Sequence, residues 1–381
     1  MPKSKLSQVG FIPNDWSCVR LGDVGEVKMC KRIFKDQTKE IGEIPFYKIG
    51  TFGGCADAFI SKELFDEFTK KFSFPKAGDI LISAAGTIGR TVKYDGSPSY
   101  FQDSNIVWID NDESKVSNEY LGHYYKTVKW ATSDGGTVAR LYNDNLKNKI
   151  YIAFPEIAEQ NKISSVLNNM DTLLESMKKL VEKKRNIKLA VMQELLTGKK
   201  RLRESYKKWD VKLLGEIVNI QKGQLLTSSS LSPGDVPVIA GGKEPAYFHS
   251  TPNRFGKTIT ISASGANAGY VAFHSTPIFA SDCSTISEGD GYSLEFIYYQ
   301  LHLNQELIYA SQTGGAQSHI HAKDLNPILI NFPEVDEQEA IARAINEIEH
   351  DIQALELNLN KIEHTKEAII HKLLTGAIRL I

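Results

Sequence analysis

The sequence predicts an α+β protein in which two similar mixed α/β domains are separated by two long antiparallel coiled-coil helices. Three observations predict this fold class. The chain repeats itself once, each copy begins with short runs of glycine, aromatic and β-branched residues, and each copy ends in a long segment that lacks glycine and proline. Because two copies are too few for a solenoid, we expect a pseudo-symmetric pair of domains.

The repeat is visible in motifs that occur twice in the same order. The most similar stretches are WSCVRLGDV (16–24) with WDVKLLGEI (209–217), ILISAAGTIGRTV (80–92) with TITISASGANAGYV (258–271), FQDS (101–104) with ASDC (280–283), and GGTVARLYNDN (135–145) with GGAQSHIHAKD (314–324). The octet LLTGKKRL (195–202) returns as LLTGAIRL (373–380), with six of its eight residues identical. Turn signals such as YDGSP predict short strands in the first part of each copy.

The segments 157–196 and 337–374 are predicted to form the two long helices. Both segments follow the tripeptide Phe-Pro-Glu. This tripeptide is typical of a helix start, because proline is tolerated there and the charge of glutamate is stabilised by the positive end of the helix dipole. Both end at LLTG, in which Gly198 and Gly376 can adopt the left-handed conformation that terminates many helices. A helix of about 40 residues is about 60 Å long.

Apolar residues in both segments recur at alternating spacings of four and three, which is the 3.5-residue period of a coiled coil. Lys184, Lys188 and Lys366 interrupt this period. The alternative is an amphipathic helix that lies on its own domain. The predicted seam consists of Ile163, Leu167, Met170, Leu174, Met177 and Val181 in the first segment and Ile341, Ile345, Ile348, Ile352, Leu355 and Leu359 in the second. The domains are predicted at 1–155 and 201–334, and the helices at 156–200 and 335–381.

Composition excludes few functions. The formal charge is −1, with 45 basic and 46 acidic side chains, so binding to a polyanion would require local basic patches. The basic residues between 178 and 203 form one such patch, although a charged run is also what a solvated helix face looks like. Four cysteines lie far apart, and neither a membrane span nor a signal peptide is visible, so we expect a cytoplasmic protein.

Catalytic motifs are missing from the sequence. We find no GxxxxGK[ST] phosphate loop, no [DNS]PP[YFW] methyltransferase tetrapeptide, and neither HExxH nor GxSxG. His319 and His321 are close in sequence, but the first copy has Arg140 and Tyr142 at those positions, so metal binding is not a shared property. We therefore predict no catalytic residue, no metal ligand and no cofactor in this chain.

Two glycine- and aromatic-rich domains, each followed by a long helix that ends in LLTG, resemble the specificity subunit of type I restriction–modification systems. The resemblance covers the whole chain, and its motifs are the WxxxxLG[DE] starts at Trp16 and Trp209, the ISA turns at Ser83 and Ser262, the FPE…EQ segments and the LLTG ends. It implies two target-recognition domains that each read one half of a split DNA sequence. It also implies helices that dock two methyltransferase subunits, and partner subunits that carry S-adenosylmethionine for adenine-N6 methylation. Restriction (motor-nuclease) subunits using ATP and Mg can join such complexes.

Two readers of different sequences should agree in their scaffold and differ where they contact DNA. The stretch 27–40 is basic, whereas its counterpart 220–235 is polar and nearly neutral. The predicted DNA-binding residues are Lys31, Arg32, Lys35, Arg90, Lys93, Arg140 and Lys147 in the first copy and Lys222, Gln224, Lys243, Arg254, His319 and Lys323 in the second. Variable solvated loops would give the same pattern.

Two other functions compete with this interpretation. A non-catalytic coiled-coil scaffold that joins two protein-binding modules would show no sequence-dependent DNA binding. A self-sufficient endonuclease or methyltransferase would be active alone with metal or S-adenosylmethionine.

Overall fold

The computed structural model describes residues 4–130, 140–202, 207–313 and 318–381, apart from the side chain of Ser228. The glycine pairs that begin the last repeated block, and Arg203 of the basic run, lie outside the described residues. The chain divides into two compact units: Met1–Ser176 with Leu359–Ile381 (the first unit), and Met177–Asn358 (the second unit). In the part of the chain that is described, no helix combines the length and the apolar character that crossing a membrane requires.

The first unit contains the N-terminal half of the strands. Its elements are β1 (Ser4–Ser7), β2 (Gly10–Pro13), β3 (Ser17–Arg20), β4 (Gly25–Lys28), β5 (Ile44–Tyr47), β6 (Phe59–Ile60), α1 (Lys62–Lys71), β7 (Ile80–Ser83), β8 (Thr91–Lys93), β9 (Tyr100–Phe101), β10 (Ile106–Asn111), α2 (Asn118–Tyr125), α3 (Asn143–Asn148), β11 (Tyr151–Phe154) and the start of α4 (Ile157–Leu195). Short 3-10 helices occupy Leu21–Asp23 and Lys35–Gln37.

The second unit contains the end of α4 and a similar series of elements. They are β12 (Asp210–Leu213), α5 (Leu214–Ile217), β13 (Gln221–Lys222), β14 (Val236–Ile239), β15 (Tyr247–His249), β16 (Thr258–Ser262), β17 (Val271–His274), β18 (Phe279–Ala280), β19 (Cys283–Ser287), α6 (Leu294–Leu303), α7 (Gln305–Ala310), α8 (Ala322–Leu325), β20 (Leu329–Phe332) and the start of α9 (Val335–Leu374). A 3-10 helix occupies Ser228–Ser230.

The two units share three sheets of the same topology, and the first unit also has an antiparallel hairpin of β1 and β2. A four-stranded antiparallel sheet has the order β4-β10-β7-β8 in the first unit and β13-β19-β16-β17 in the second. A three-stranded sheet has the order β6-β5-β9 or β15-β14-β18, with a parallel pair in each. In each unit the strand that follows the repeated tryptophan pairs with the strand before the long helix, as β3 with β11 and β12 with β20. The internal repeat is therefore a repeat of fold.

Each unit has a main core between its four-stranded sheet and its helices. In the first unit, Ile82, Val107 and Tyr120 pack with Ile163 and Leu167 of α4 and with Leu373 of α9. In the second, Ile259, Ile286 and Phe296 pack with Leu195 of α4 and Ile341 of α9. Each core thus contains the first turns of one long helix and the last turns of the other.

The long helices pair antiparallel within each unit. In the first unit, Asp171 of α4 accepts a hydrogen bond from Lys366 of α9. In the second, Lys184 lies 2.9 Å from Asp351, and Lys188 pairs with Glu349. The three lysines that interrupt the apolar period therefore each pair with a carboxylate on the opposite helix. Polar groups in a coiled-coil seam favour one register and orientation, so these pairs specify the antiparallel arrangement.

The predicted seam residues are all buried or half-buried, and Ile163, Leu167 and Ile345 have no exposed surface. The predicted fold class, two mixed α/β domains with two long antiparallel helices, is confirmed. The structure also explains the glutamine of the repeated EQ dipeptide. Gln160 accepts from the Ser117 N–H at 2.9 Å and donates to the Pro155 carbonyl at 2.8 Å, and Gln338 makes the same bonds with Ser293 and Pro333.

The seventh residue of the repeated LLTG octet is an arginine that binds the glutamate of the EQ dipeptide. Arg379 donates two hydrogen bonds to Glu159 at 2.7–2.8 Å and lies over the ring of Trp16. Arg201 donates two hydrogen bonds to Glu337 at 2.6–2.7 Å and lies over the ring of Trp209. Three motifs that recur in the sequence thus meet at one junction in each unit.

Electrostatics support this junction. Burial is the largest single influence and opposes ionisation of Glu159, but the hydrogen bonds from Arg379 and from the Leu380 N–H, together with the charge of Arg379, hold the pKa of the carboxyl below its usual range. The same bonds raise the pKa of Arg379. Both groups are therefore charged at neutral pH, and a bidentate pair of this kind is stronger than a single ionic contact.

Candidate nucleic-acid interface

Loops leave the four-stranded sheet of each unit at equivalent ends. In the first unit, Ser83 at the end of β7 pairs with Ile106 at the start of β10, so the turn after β7 lies beside the loop before β10. Arg140 adds a β-bridge to Ala85 in that turn. In the second unit, Ser262 pairs with Cys283, and His319 forms the corresponding bridge with Ser264.

The loop before the long central strand differs in length between the units. In the first unit the first residue of this loop is Gln102, which donates its N–H to the Tyr47 carbonyl. In the second unit it is Ser281, which donates its N–H to the Ile239 carbonyl. The last residue of the loop is Asn105 in the first unit, whose carbonyl accepts a hydrogen bond from the Ala84 N–H. In the second unit it is Asp282, whose carbonyl accepts from the Ala263 N–H. Between the same two anchors the first unit has residues 102–105 and the second has residues 281–282. The ungapped sequence match of FQDS with ASDC conceals this two-residue difference.

Two predicted DNA-binding arginines converge on the loop 102–105. The Nε of Arg32 donates to Asp103 Oδ2 at 2.8 Å. The Nη2 of Arg140 donates to Ser104 Oγ at 3.0 Å and to Asn105 Oδ1 at 3.2 Å. Ser104 has a positive φ of 53°, which a non-glycine residue adopts at some cost in strain. Asp103, Ser104 and Asn105 were not identified from the sequence, because their importance depends on partners distant along the chain.

The other predicted residues of the first unit are more dispersed. Arg90 donates to the Phe52 carbonyl at 2.7 Å, and Lys93 pairs with Glu119 of α2, which lowers the pKa of that carboxyl. Lys31 lies 5.1 Å from the Phe72 ring centroid. Lys35 begins a 3-10 helix and Lys147 lies in α3, and both are exposed. The structure does not bring these side chains into direct contact with the Arg32–Asp103 pair.

In the second unit Arg254 has a structural role. It is half-buried and donates to Thr285 Oγ1 at 3.0 Å, to the Asn253 carbonyl at 2.9 Å and to the Lys222 carbonyl at 3.2 Å. These bonds occupy its guanidinium and fix the strand that carries Lys222. Gln224 follows that strand and is exposed.

The remaining candidates of the second unit are exposed or half-exposed. Lys243 lies 5.4 Å from the Tyr270 ring centroid, and the rings of His319 and His321 stack at 6.2 Å. Lys323 is exposed in α8. The described residues contain no group of three or more His, Cys, Asp and Glu side chains placed to hold a metal ion.

Neither buried thiol near these loops is suited to nucleophilic chemistry. Burial raises the pKa of Cys30 to about 12 and that of Cys283 to about 12, so both are protonated at neutral pH. Cys30 instead packs in an aromatic core cluster, and Cys283 packs in a small apolar cluster.

Comparisons with known proteins identify the family. The family model described as "Type I restriction modification DNA specificity domain" matches twice, at residues 13–183 and 206–364. A Haemophilus influenzae protein named as the type I restriction enzyme specificity subunit S.HindORF215P is 63% identical over 158 residues, which are 42% of this chain and 41% of that protein. A Methanocaldococcus jannaschii protein named as the MjaX specificity subunit is 26% identical, with 99% of this chain and 96% of that protein aligned.

A solved structure shares the fold. The crystal structure of a type I restriction–modification system S subunit from M. genitalium matches with a TM-score of 0.66 and 19% identity, covering 98% of each chain. The family model accounts for both repeats, and the fold agrees with a solved S subunit. The chain therefore belongs to the type I restriction–modification DNA specificity family.

Proposed function

We propose that this chain recognises a bipartite DNA target, with each unit reading one half, and that its helices dock two methyltransferase subunits. The observation that carries the proposal is that the two units share a framework and differ at the loops. At corresponding sheet ends the first unit presents Arg32 and Asp103, whereas the second presents Gln224 and Leu225. Equal scaffolds with different loop chemistry are what two readers of different bases require.

A second surface supports the docking of partner helices. Helix α4 carries Val166, Leu173, Leu180 and Ile187 at strict seven-residue spacing, and their exposed fractions are 37–48%. This stripe lies beside the seam and widens the apolar face of α4. The corresponding residues of α9 are Ala344, Asp351, Asn358 and Thr365. Exposed apolar residues at seven-residue spacing suit a further helix, as in bundles of three or four helices.

The chemistry of the complex is assigned to the partners. In this proposal the methyltransferase subunits bind S-adenosylmethionine and methylate adenine N6, and any restriction subunits bind ATP and Mg. This chain contributes the choice of sequence. Its near-neutral charge suits that division, because partner subunits would supply much of the phosphate neutralisation.

The proposal is tested by genome-wide mapping of adenine methylation in strains with and without this gene. We expect one split motif to lose methylation when the gene is deleted. Replacing residues 1–155 by the corresponding domain of another family member should change the bases of one half of the motif. Replacing residues 201–334 is the matched exchange and should change the other half. A methylation pattern that is independent of this gene, or a motif that changes in both halves on either exchange, contradicts the proposal.

A further inference from the structure

Arg32 and Asp103 form an ion pair whose geometry leaves part of the guanidinium unused. Asp103 accepts from Nε at 2.8 Å. Among the described residues, none accepts a hydrogen bond from Nη1 or Nη2. The Arg32 side chain is 60% exposed, whereas that of Asp103 is 17% exposed. The carboxylate therefore lies mostly within the protein, and the free edge of the guanidinium is accessible to solvent.

The backbone on both sides of this pair is firmly held. Cys30 and Ile33 are buried in a core cluster, and the hydroxyl of the buried Tyr100 donates to the Lys31 carbonyl at 3.1 Å. Asp103 lies in the loop that Arg140 binds through Ser104 and Asn105. A side chain that is positioned before binding loses less conformational entropy on binding.

The pair has the chemistry of a base reader more than that of a phosphate anchor. Because Asp103 offsets the charge of Arg32, long-range attraction to phosphate is weak, and the carboxylate repels a nearby anion. The free Nη groups still provide two directed donors. A guanidinium binds guanine through O6 and N7, two neighbouring acceptors in the major groove that no other base pair presents in the same arrangement.

The second unit lacks this arrangement. Lys28 pairs with Trp108 in the first sheet at the place where Gln221 pairs with Thr285 in the second, so Lys28 and Gln221 are equivalent. Counting four residues onward from each, Arg32 of the first unit corresponds to Leu225 of the second. Leu225 is 76% exposed and cannot donate a hydrogen bond from its side chain. The difference confines the predicted guanine contact to one half of the target.

We propose that Arg32, positioned by Asp103, reads one guanine in the major groove of the half-site that the first unit recognises. This inference rests on the proposed function, and it names the base and the side chain. Arg32 would contact the base directly, whereas Asp103 would act as a positioning residue.

The test uses the chain in complex with its methyltransferase subunits. Preferred duplexes are first selected from a randomised DNA library, and each guanine is then replaced singly by 7-deazaguanine, which lacks the N7 acceptor but still pairs with cytosine. For the unmodified complex, one replacement in one half-site should weaken binding roughly 10-fold. Arg32→Ala should weaken binding to the unmodified duplex roughly 10- to 100-fold. The affinity of this variant complex should no longer change when that guanine is replaced by 7-deazaguanine. Asp103→Asn should reduce discrimination at the same guanine and leave the other half-site unchanged.

Lys35→Ala is the matched control, since Lys35 is an exposed cation three residues from Arg32 in the chain. It should weaken binding to all duplexes about equally and leave the response to 7-deazaguanine intact. If the unmodified complex selects no sequence, the proposed function fails. If it selects a split sequence and Arg32→Ala keeps every base preference, the proposed function stands and the role of Arg32 is refuted. Unchanged preference in the second half-site shows that the variant complex is folded.

Discussion

The two units differ most where their frameworks are least constrained by the long helices. Around its three-stranded sheet the first unit has a second core rich in aromatic residues, including Phe46, Phe52, Tyr100 and Trp108. Helix α1, which has no counterpart among the described residues of the second unit, adds Phe65 and Phe68 to this core. The corresponding cluster of the second unit consists of Ile239, Ile278, Ala280 and Cys283.

The main cores do not differ in this way, because both enclose the ends of α4 and α9. The comparison indicates that both units pack against the long helices in the same way, whereas the apolar cluster that carries the loops differs in composition between them. Separate cores allow this, since a change in one need not disturb packing in the other.

The largest expected effect comes from making the first unit resemble the second at one buried position. Phe101 pairs with Tyr47 where Ala280 pairs with Ile239, so Phe101→Ala places the alanine of the second unit in the first. Phe101 stacks on Tyr47 and contacts Tyr94 edge-on. We expect its loss to destabilise the first unit by about 3–5 kcal/mol, because a cavity remains in a packed aromatic cluster. Hydrogen exchange resolved by peptide would measure the change in each unit.

The matched control is Phe34→Ala, which removes the same atoms from a side chain that is 59% exposed. It should change stability by about 0.5 kcal/mol or less. Equal losses for the two variants would show that the second core of the first unit contributes little. Loss of protection in peptides of the second unit would show that the cores are not independent.

A smaller effect is expected at the junctions that the two units share. Arg379→Ala would leave the carboxyl of Glu159 nearly inaccessible to solvent and without its charged partner, since its side chain is 4% exposed. Removing one partner of such a pair costs about 3 kcal/mol. Arg201→Ala should cost less, because the Trp209 Nε1 still donates to Glu337 at 3.1 Å and that junction is more exposed.

Denaturant unfolding of both variants would measure this difference, with Lys71→Ala, which removes an exposed cation on α1, as the control. The pKa of Glu159 lies below its ordinary 4.5 in the folded chain, so the contribution of the pair is complete above that pH and lost as the pH falls through the folded value. Equal stability of Arg379→Ala and the parent chain at neutral pH would contradict the assigned role of the junction.

Local signals made the helices predictable. The 3.5-residue period and the glycine of LLTG are properties of neighbouring residues, and the structure has helices at Ile157–Leu195 and Val335–Leu374. The sheet order was not predictable, because it depends on pairing between strands far apart in sequence. The partners of Lys184, Lys188 and Lys366 were missed for the same reason, although the interruptions themselves were visible.

The candidate interface was predictable in outline only. Comparing the two copies placed Arg140 and His319 at equivalent positions, and both form a bridge beside the same turn. Charge alone could not separate Arg32, whose Nη groups are free of described partners, from Arg254, whose guanidinium binds three groups of its own unit. Asp103 became significant only with its distance to Arg32. Whether the thirteen predicted residues bind DNA remains a prediction.

The smallest expected effect concerns two histidines, the buried His123 of the first unit and the half-buried His274 of the second. His123 of α2 lies 2.8 Å from Asn168 of α4, and burial, with a smaller effect of Lys126, lowers its pKa below the ordinary 6.5 despite Asn168 and Asp171. His274 lies 2.9 Å from Thr260 Oγ1, and burial lowers its pKa as well.

Below pH 6.5 the unfolded chain therefore takes up a proton at His123 that the folded chain does not. As a result, the stability of the first unit falls as the pH drops from 6.5 towards the folded pKa, and it is unaffected by this group above pH 6.5. Each pH unit inside that window costs at most about 1.4 kcal/mol. His123→Gln places an amide near Asn168 in place of the imidazole and cannot titrate. In hydrogen exchange resolved by peptide, it should remove this loss between pH 7.5 and 5.5 in the first unit only. His274→Gln is the matched variant for the second unit. Because Glu159 titrates below 4.5, it does not contribute in this range, and a slope that persists in His123→Gln would have to come from another group of the first unit.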